Sequence, residues 1–402
     1  MTTALATDDD LTRQLPSLAK YLRPLTVPAP GLLPSVQKLC DYPDPFTHSA
    51  ETEALFVAAM REITSWHATR SPFYQRMWKT AGAPKISTIA DITEIPFVHV
   101  NIFKRHPLSS IHSEDVVLRL TSSGTGGRKT EIGFDEWSFG AAQRMDAWTM
   151  KALGLIDPDR PANYLVCGHE PAPRLTVGAA HSLNELCDFA PAASVAHTLR
   201  HTGSGHEFDP MGSVDALLRY AQQPYPVRIV GFPAFLYAVL DRMNTMGVEP
   251  LQLPAGSLVV TGGGWKGYND KAISRSDLRA LVETQLGIPA HRIRDCYGSV
   301  EHCLPYLECA DHHFHVPVWS HCIVRDVTTL RPLPHGARGY LQFTAPYLTA
   351  LPGHSILMAD IGTLHPPGAC SVNAPWFEVH GRAGTRRNQN CAVAAAQLLE
   401  AA

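Results

Sequence analysis

The 402-residue chain has little net charge, few charged side chains and no long apolar run, and each shortage excludes a class of protein. Lys and Arg number 34 against 37 Asp and Glu, a formal charge of -3, without the basic excess a nucleic-acid surface needs. No stretch approaches the roughly 20 consecutive apolar residues required to span a bilayer. The start, "MTTALATDDDLTRQLPS", is acidic and polar where an export signal would be basic and then apolar. Neither nucleic acid nor a membrane span is expected, and the expected compartment is the cytoplasm. The cysteines number 9, an odd count that does not suggest a disulfide framework; a metal site or a reactive thiol suits a reducing compartment better. Internal repeats and low-complexity tracts are also missing.

What is present is 45% hydrophobic residues, enough for a large core or for two to three packed subdomains. Residues 1–50 are Pro-rich and read as an irregular covering arm, residues 51–375 as the core domain and 376–402 as a short tail. "ETEALFVAAMREITSWHATR" has helical spacing of Leu55, Phe56, Ala59, Met60 and Ile63. "VRIVGFP" reads as a buried strand leading into a helix that Gly247 stops. "GSLVVTGGG" is a further strand, and "ISRSDLRALVETQLGIP" a helix capped by Ser274 and ended by Gly287. "RIRDCYGSVE" is the next strand with its exit loop. This alternation predicts an α/β fold of largely parallel sheets covered by helices. After Phe314 the pattern becomes hairpin-like, which predicts a smaller β-rich subdomain.

Four loops carry chemistry. "TSSGTGGRKT" offers the hydroxyls of Thr121, Ser122, Ser123 and Thr125, and the backbone freedom of Gly124, Gly126 and Gly127. Arg128 and Lys129 add charge. Convergent donors with bare backbone suit a phosphate, although neither the Walker nor the dinucleotide pattern fits. "VVTGGGWKG" ends a strand with Gly263 and Gly264, where a flat base can lie on bare backbone. "DCYGSVEH" sets Tyr297 and Gly298 ahead of Glu301, an aromatic for stacking and a carboxylate for magnesium. "LMADIG" supplies Asp360, an acceptor for ribose hydroxyls. Strand C-termini are where open α/β sheets bind ligands.

The order of these loops, followed by Gly381–Arg382, resembles the adenylate-forming superfamily of acyl and aryl acid ligases. Within it the chain is most similar to the LuxE-type acyl-protein synthetase branch, itself related to phenylacetate–CoA ligases. "IPFVHVNIFKRHPLSS", "TSSGT" and "GRAGTRRNQNCAVAA" carry that likeness. Two positions depart from the superfamily: Val300 stands where many members have Thr, and Lys129 falls one place early. The resemblance implies the superfamily's N-terminal domain fold. With the chain stopping at Ala402, the mobile C-terminal domain and its adenylation lysine are expected to be missing. Arg128, Lys129, Lys266 and Arg382 are the cations left to replace that lysine.

The implied reaction joins a small carboxylic acid to AMP from ATP and Mg2+, then moves the acyl group to an acceptor. In the LuxE branch the acceptor is a C-terminal cysteine, here Cys391, with Arg386 and Arg387 near enough in sequence to favour its thiolate. Catalytic roles are expected for Glu301, Lys129 and Cys391. CoA, an amine, or an acyl-carrying or reductase partner protein are the other acceptors, and a non-catalytic nucleotide-binding module is the remaining alternative. His169, Phe232 and Trp265 are expected to wall the acid pocket. "EHCLPYLECADHHFHVPVWSHC" concentrates His and Cys, from which His302, Cys309, His315 and the later Cys370 are expected to hold a structural Zn2+.

Overall fold

The computed structural model describes residues 7–121, 131–172, 183–265 and 271–383. In chain order the first strands are β1 (Val98–His99), β2 (Leu118–Thr121) and β3 (Glu131–Phe134). Then come β4 (Ala162–His169), β5 (Ala192–His201), β6 (His206–Phe208), β7 (Val227–Gly231), β8 (Leu258–Gly262) and β9 (Ile293–Tyr297). Six more follow: β10 (Tyr306–Leu307), β11 (Phe314–His315), β12 (His321–Arg325), β13 (Arg338–Thr344), β14 (Ser355–His365) and β15 (Trp376–Arg382).

A seven-stranded sheet has the order β10-β9-β8-β7-β4-β5-β6. Its five inner strands are parallel, and β6 and β10 close the edges antiparallel. Every residue of β4 and β7 is buried, as expected of strands covered on both faces. Helices Pro210–Ala221, Pro233–Thr245 and Arg275–Leu286 pack one face; Asp8–Gln14 and Glu136–Ala152 pack the other. Ser274 accepts from the Asp277 N–H at 3.1 Å, and Gly287 ends the helix in the left-handed region, as the sequence predicts. The β7 exit requires glycine: a Cβ on Gly231 (φ +135°) would meet the Cys167 carbonyl oxygen at 2.4 Å. That close pass lets the Phe232 N–H donate to Cys167 at 2.8 Å and start the next helix.

The second sheet has the order β11-β15-β14-β13-β12, with β1 added parallel to β14. It holds the hairpin expected after Phe314, between β12 and β13. The α/β expectation therefore holds. The arm does not stay irregular. Thr7 and Asp10 form a capping box for Asp8–Gln14, and Pro34 opens helix Pro34–Cys40, a position where its missing N–H costs nothing. Val27, Val36 and Leu39 are buried in the same core as the second sheet.

Helix Ala50–Arg70 matches its predicted span and delivers two buried polar side chains. Trp66 Nε1 donates to the Thr349 carbonyl at 2.9 Å. The fully buried His67 stacks on His354 at 4.6 Å and contacts Ser110 Oγ at 2.7 Å. Burial pushes His67 down to about 3 and holds His354 well below the ordinary histidine range. The unfolded chain therefore binds more protons than the folded one as the pH falls below about 6.5, and stability present above that pH is lost toward the folded values. Urea midpoints measured from about pH 7 to about pH 4.5 should fall, each histidine contributing roughly 1.4 kcal/mol per pH unit. His354→Gln should remove one histidine's share of that slope; an unchanged slope would contradict this account.

Candidate active site

Tyr297 ends β9 in one sheet, and Asp360 lies within β14 of the other. The Tyr297 hydroxyl donates to Asp360 Oδ2 at 3.0 Å, so the two sheets touch through these side chains. Burial, and then the Asp360 charge, keep the phenol protonated. Asp360 is paired in register with Arg382 on β15, whose Nε lies 3.4 Å from Oδ1. Both carboxylate oxygens are therefore engaged, one by a neutral donor and one by a cation. The Tyr297 ring is lodged among Phe314, Phe343, Phe377 and Tyr306, with centroid distances of 5.6 to 6.4 Å. Gly298 beside it is exposed, with only ordinary contacts where a Cβ would stand.

Glu301 follows in the same exit turn and is only 4% exposed. Burial raises its pKa, while its own N–H, Lys104, Ser299 and Arg382 oppose that rise. Lys104 is a cation the sequence reading did not single out. It comes from the segment after β1, which runs beside β14 with Val98 opposite Ile356. The floor beneath Glu301 is backbone: a Cβ on Gly353 would meet the Glu301 carbonyl oxygen at 2.8 Å.

Strand β3, which follows the phosphate-loop candidate, leads into a helix tied to the Glu301 turn. Thr121 ends β2 directly opposite Glu131 of β3, so the ends of the intervening loop are neighbours. Ser122, Ser123, Gly124, Thr125, Gly126, Gly127 and Lys129 lie outside the described residues, as do Arg128, Lys266 and Cys391. Helix Glu136–Ala152 follows β3. Trp137 Nε1 donates to the Tyr347 carbonyl at 2.9 Å, and the Tyr347 hydroxyl donates to the His302 carbonyl, one residue after Glu301. Thr349 Oγ1 donates to Asp135 Oδ2 at 2.6 Å.

The expected pocket walls follow the C-terminal ends of three neighbouring strands: His169 ends β4, Phe232 follows β7 and Trp265 follows β8. Gly263 (φ +79°) turns the chain where a Cβ would lie 2.8 Å from the Phe232 ring, and Gly264 (φ +72°) continues the turn. Gly168 approaches the same ring from β4. Trp265 rests against Tyr237, centroids 5.3 Å apart. His169 is 7% exposed and edge-on to His206 at 4.9 Å; burial, and then His206, push it down to about 4. Its Nδ1 has no hydrogen-bond partner among the described residues.

The Cys/His stretch yields one compact group: the ligand atoms of Cys309, His313, His315 and Cys370 all lie within 4.8 Å of one another. His302 is not among them. It is packed into the aromatic core instead, stacked on Tyr306 with ring planes 4° apart and 5.5 Å from Phe343, and its Nε2 lies 2.9 Å from the Tyr306 hydroxyl. His313 takes that place. His313 and His315 are two residues apart, hence on one side of an extended chain.

Comparison with known proteins bears on the family and the fold. A long-chain-fatty-acid–luciferin-component ligase of Vibrio harveyi is 25% identical over 353 residues, 87% of this chain and 90% of the relative. A phenylacetate-coenzyme A ligase of Aromatoleum evansii is 22% identical over 365 residues, 87% of this chain and 73% of the relative. Among solved structures, an open 2-hydroxyisobutyryl-CoA ligase in complex with 2-HIB-AMP and CoA has a TM-score of 0.64 at 16% identity. The match covers 87% of this chain and 81% of that one, and it establishes the fold. The family model "Acyl-protein synthetase, LuxE" matches residues 35–400, and the chain belongs to that family.

Proposed function

We propose that the protein activates a carboxylic acid with ATP, forming an acyl-adenylate and pyrophosphate, and then passes the acyl group to a thiol. The observation that carries this reading is the meeting of Tyr297, Asp360 and Arg382 across the two sheets, with the buried Glu301 and Lys104 alongside.

In the first step a carboxylate oxygen of the acid attacks the α-phosphorus, and the bond to the bridging oxygen breaks as pyrophosphate leaves. A carboxylate alone is a poor acyl donor because its leaving group would be oxide; AMP provides a stable one. The catalytic demand is positioning and neutralisation of phosphate charge. Asp360 accepts hydrogen bonds from the ribose hydroxyls, and Gly263, Gly264 and Tyr297 border the base. Thr121 and the loop through Lys129 donate to the phosphates. Lys104 and Arg382 add cations on the Glu301 side. Glu301 fits a magnesium ion, being a buried carboxylate whose hydrogen-bond partners are its own N–H and Ser299, with acceptor capacity left over. A bound Mg2+ would neutralise phosphate charge there. His169, Phe232 and Trp265 wall the acid, and the neutral His169 ring offers a buried Nδ1 that has no partner among the described residues.

In the second step a thiolate attacks the acyl carbonyl carbon and AMP departs. Cys391 is the proposed thiol, with CoA or the thiol of an acyl-carrying or reductase partner as the competing acceptors. Cys309, His313, His315 and Cys370 would hold a structural zinc ion beside this site.

Pyrophosphate exchange over a panel of aliphatic, aromatic and amino acids should depend on at least one acid; dependence on none would remove the reading. Glu301→Gln should lower kcat by roughly 100-fold or more. Asp360→Asn should chiefly raise KM for ATP, by about tenfold, since it removes binding shared by ground and transition states. The reverse pattern would exchange the roles assigned to the two carboxylates. Cys391→Ser should keep pyrophosphate exchange yet lose the hydroxylamine-labile acyl adduct seen by intact mass spectrometry. An adduct that persists in this variant would place the acceptor elsewhere.

A further inference from the structure

The Cys309–His313–His315–Cys370 group stands on the seam that Tyr297 and Asp360 cross. Cys309 follows β10, which sets Tyr306 opposite Tyr297 at the edge of the seven-stranded sheet. Cys370 lies in the connection between β14 and β15, the strands of Asp360 and Arg382. His315 belongs to β11, which pairs with β15 through two residues, Phe314 opposite Phe377 and His315 opposite Trp376. The four side chains thus join the Tyr297 side of the seam to the Asp360 side.

We propose that this group is a metal clasp: one tetrahedral divalent ion of the zinc class locks the seam and thereby sets the affinity for ATP. The nucleotide half of this inference rests on the ligase reading above.

The donor set is that of a closed structural site, two thiolates and two imidazoles with no position left for substrate. The spacing fits as well. Zn–S bonds of about 2.3 Å at the tetrahedral angle put two sulfurs about 3.8 Å apart; Cys309 Sγ and Cys370 Sγ are 3.8 Å apart. His315 is oriented for ligation: its Nδ1–H donates to the Ala374 carbonyl at 3.1 Å, leaving the Nε2 lone pair toward Cys370 Sγ at 3.2 Å. His313 stacks on Trp376 at 3.9 Å, which fixes its ring plane. A tight turn presents Cys309, whose N–H donates to the His313 carbonyl at 3.0 Å while the His312 N–H donates back to Cys309, also at 3.0 Å. The protein's own contacts between β11 and the β14–β15 side include the two-residue β11–β15 pairing, the His315–Ala374 bond, the Val316 N–H donating to the Pro375 carbonyl at 2.8 Å and the Phe314–Phe377 stack. The Tyr297–Asp360 bond needs both sheets in register, so slack in the clasp is felt at that bond.

Metal analysis of the purified full-length protein, paired with ATP titration by calorimetry, tests this directly. The expected result is one zinc per chain. Cys370→Ser should lose the ion and bind ATP about tenfold more weakly, equivalent to about 1.4 kcal/mol. Cys370→His, which restores a ligand, should recover both. If Cys370→Ser does not fold, chelator removal of zinc from the unaltered protein followed by zinc add-back gives the same comparison. Protein that carries no zinc and takes up none, or that holds a Cys309–Cys370 disulfide instead, overturns the clasp. Zinc that is present but whose removal leaves ATP affinity unchanged overturns its role at the seam while the ligase reading stands. Zinc-loaded protein that binds no ATP overturns the ligase reading and the nucleotide half of this inference with it.

Discussion

The two sheets meet at Tyr297, and a cluster of aromatic side chains packs that junction. Tyr306, Phe314, Phe343 and Phe377 are buried around Tyr297, each ring within 6.4 Å of it. Burial of such side chains contributes roughly 1.5–3 kcal/mol each relative to exposure. Within that apolar setting the Tyr297 hydroxyl needs a partner, and Asp360 on the opposite sheet supplies it. Fold and candidate site therefore share a cause: the packing that joins the sheets also fixes the geometry of the residues read as nucleotide ligands.

The electrostatics follow from the same burial. A carboxylate taken out of water resists ionisation, and the cations near Glu301 offset this only in part, since the net direction of its shift is still upward. Lys104 and Arg382 reach that space from opposite ends of the chain. Positive groups converging on a dry carboxylate make a region that accepts further anionic charge more readily than either side chain would in water.

Much of the fold is legible in the sequence because local signals agree with the tertiary outcome. The β7 strand, the helix capped by Ser274 and ended by Gly287, and the β12–β13 hairpin were all readable from periodicity and turn chemistry. The arm reads as irregular because it is Pro-rich, whereas a proline such as Pro34 at the first helical position is compatible with a helix. In the site, Tyr297, Asp360 and Arg382 were readable as motifs, but their mutual contact was not, since it depends on how two sheets dock. Lys104 left no local signal, since its approach to Glu301 depends on long-range contacts such as the parallel β1–β14 pairing. His302 and His313 were exchanged for a similar reason. Spacing limits which histidines are available, while the stacking of His302 on Tyr306 decides which one is free.

The parallel pairing of β1 with β14 has a further implication for biosynthesis. Val98 meets Ile356, and Thr349 is tied to Asp135, so segments made early are completed by segments made late. On the ribosome β1 has no strand to join until β14 has emerged, and the apolar surface around it stays uncovered meanwhile. The inner strands of the seven-stranded sheet, by contrast, follow one another closely enough in sequence to assemble as they appear. Nascent chains stalled before β14 should therefore be the ones that chaperones hold.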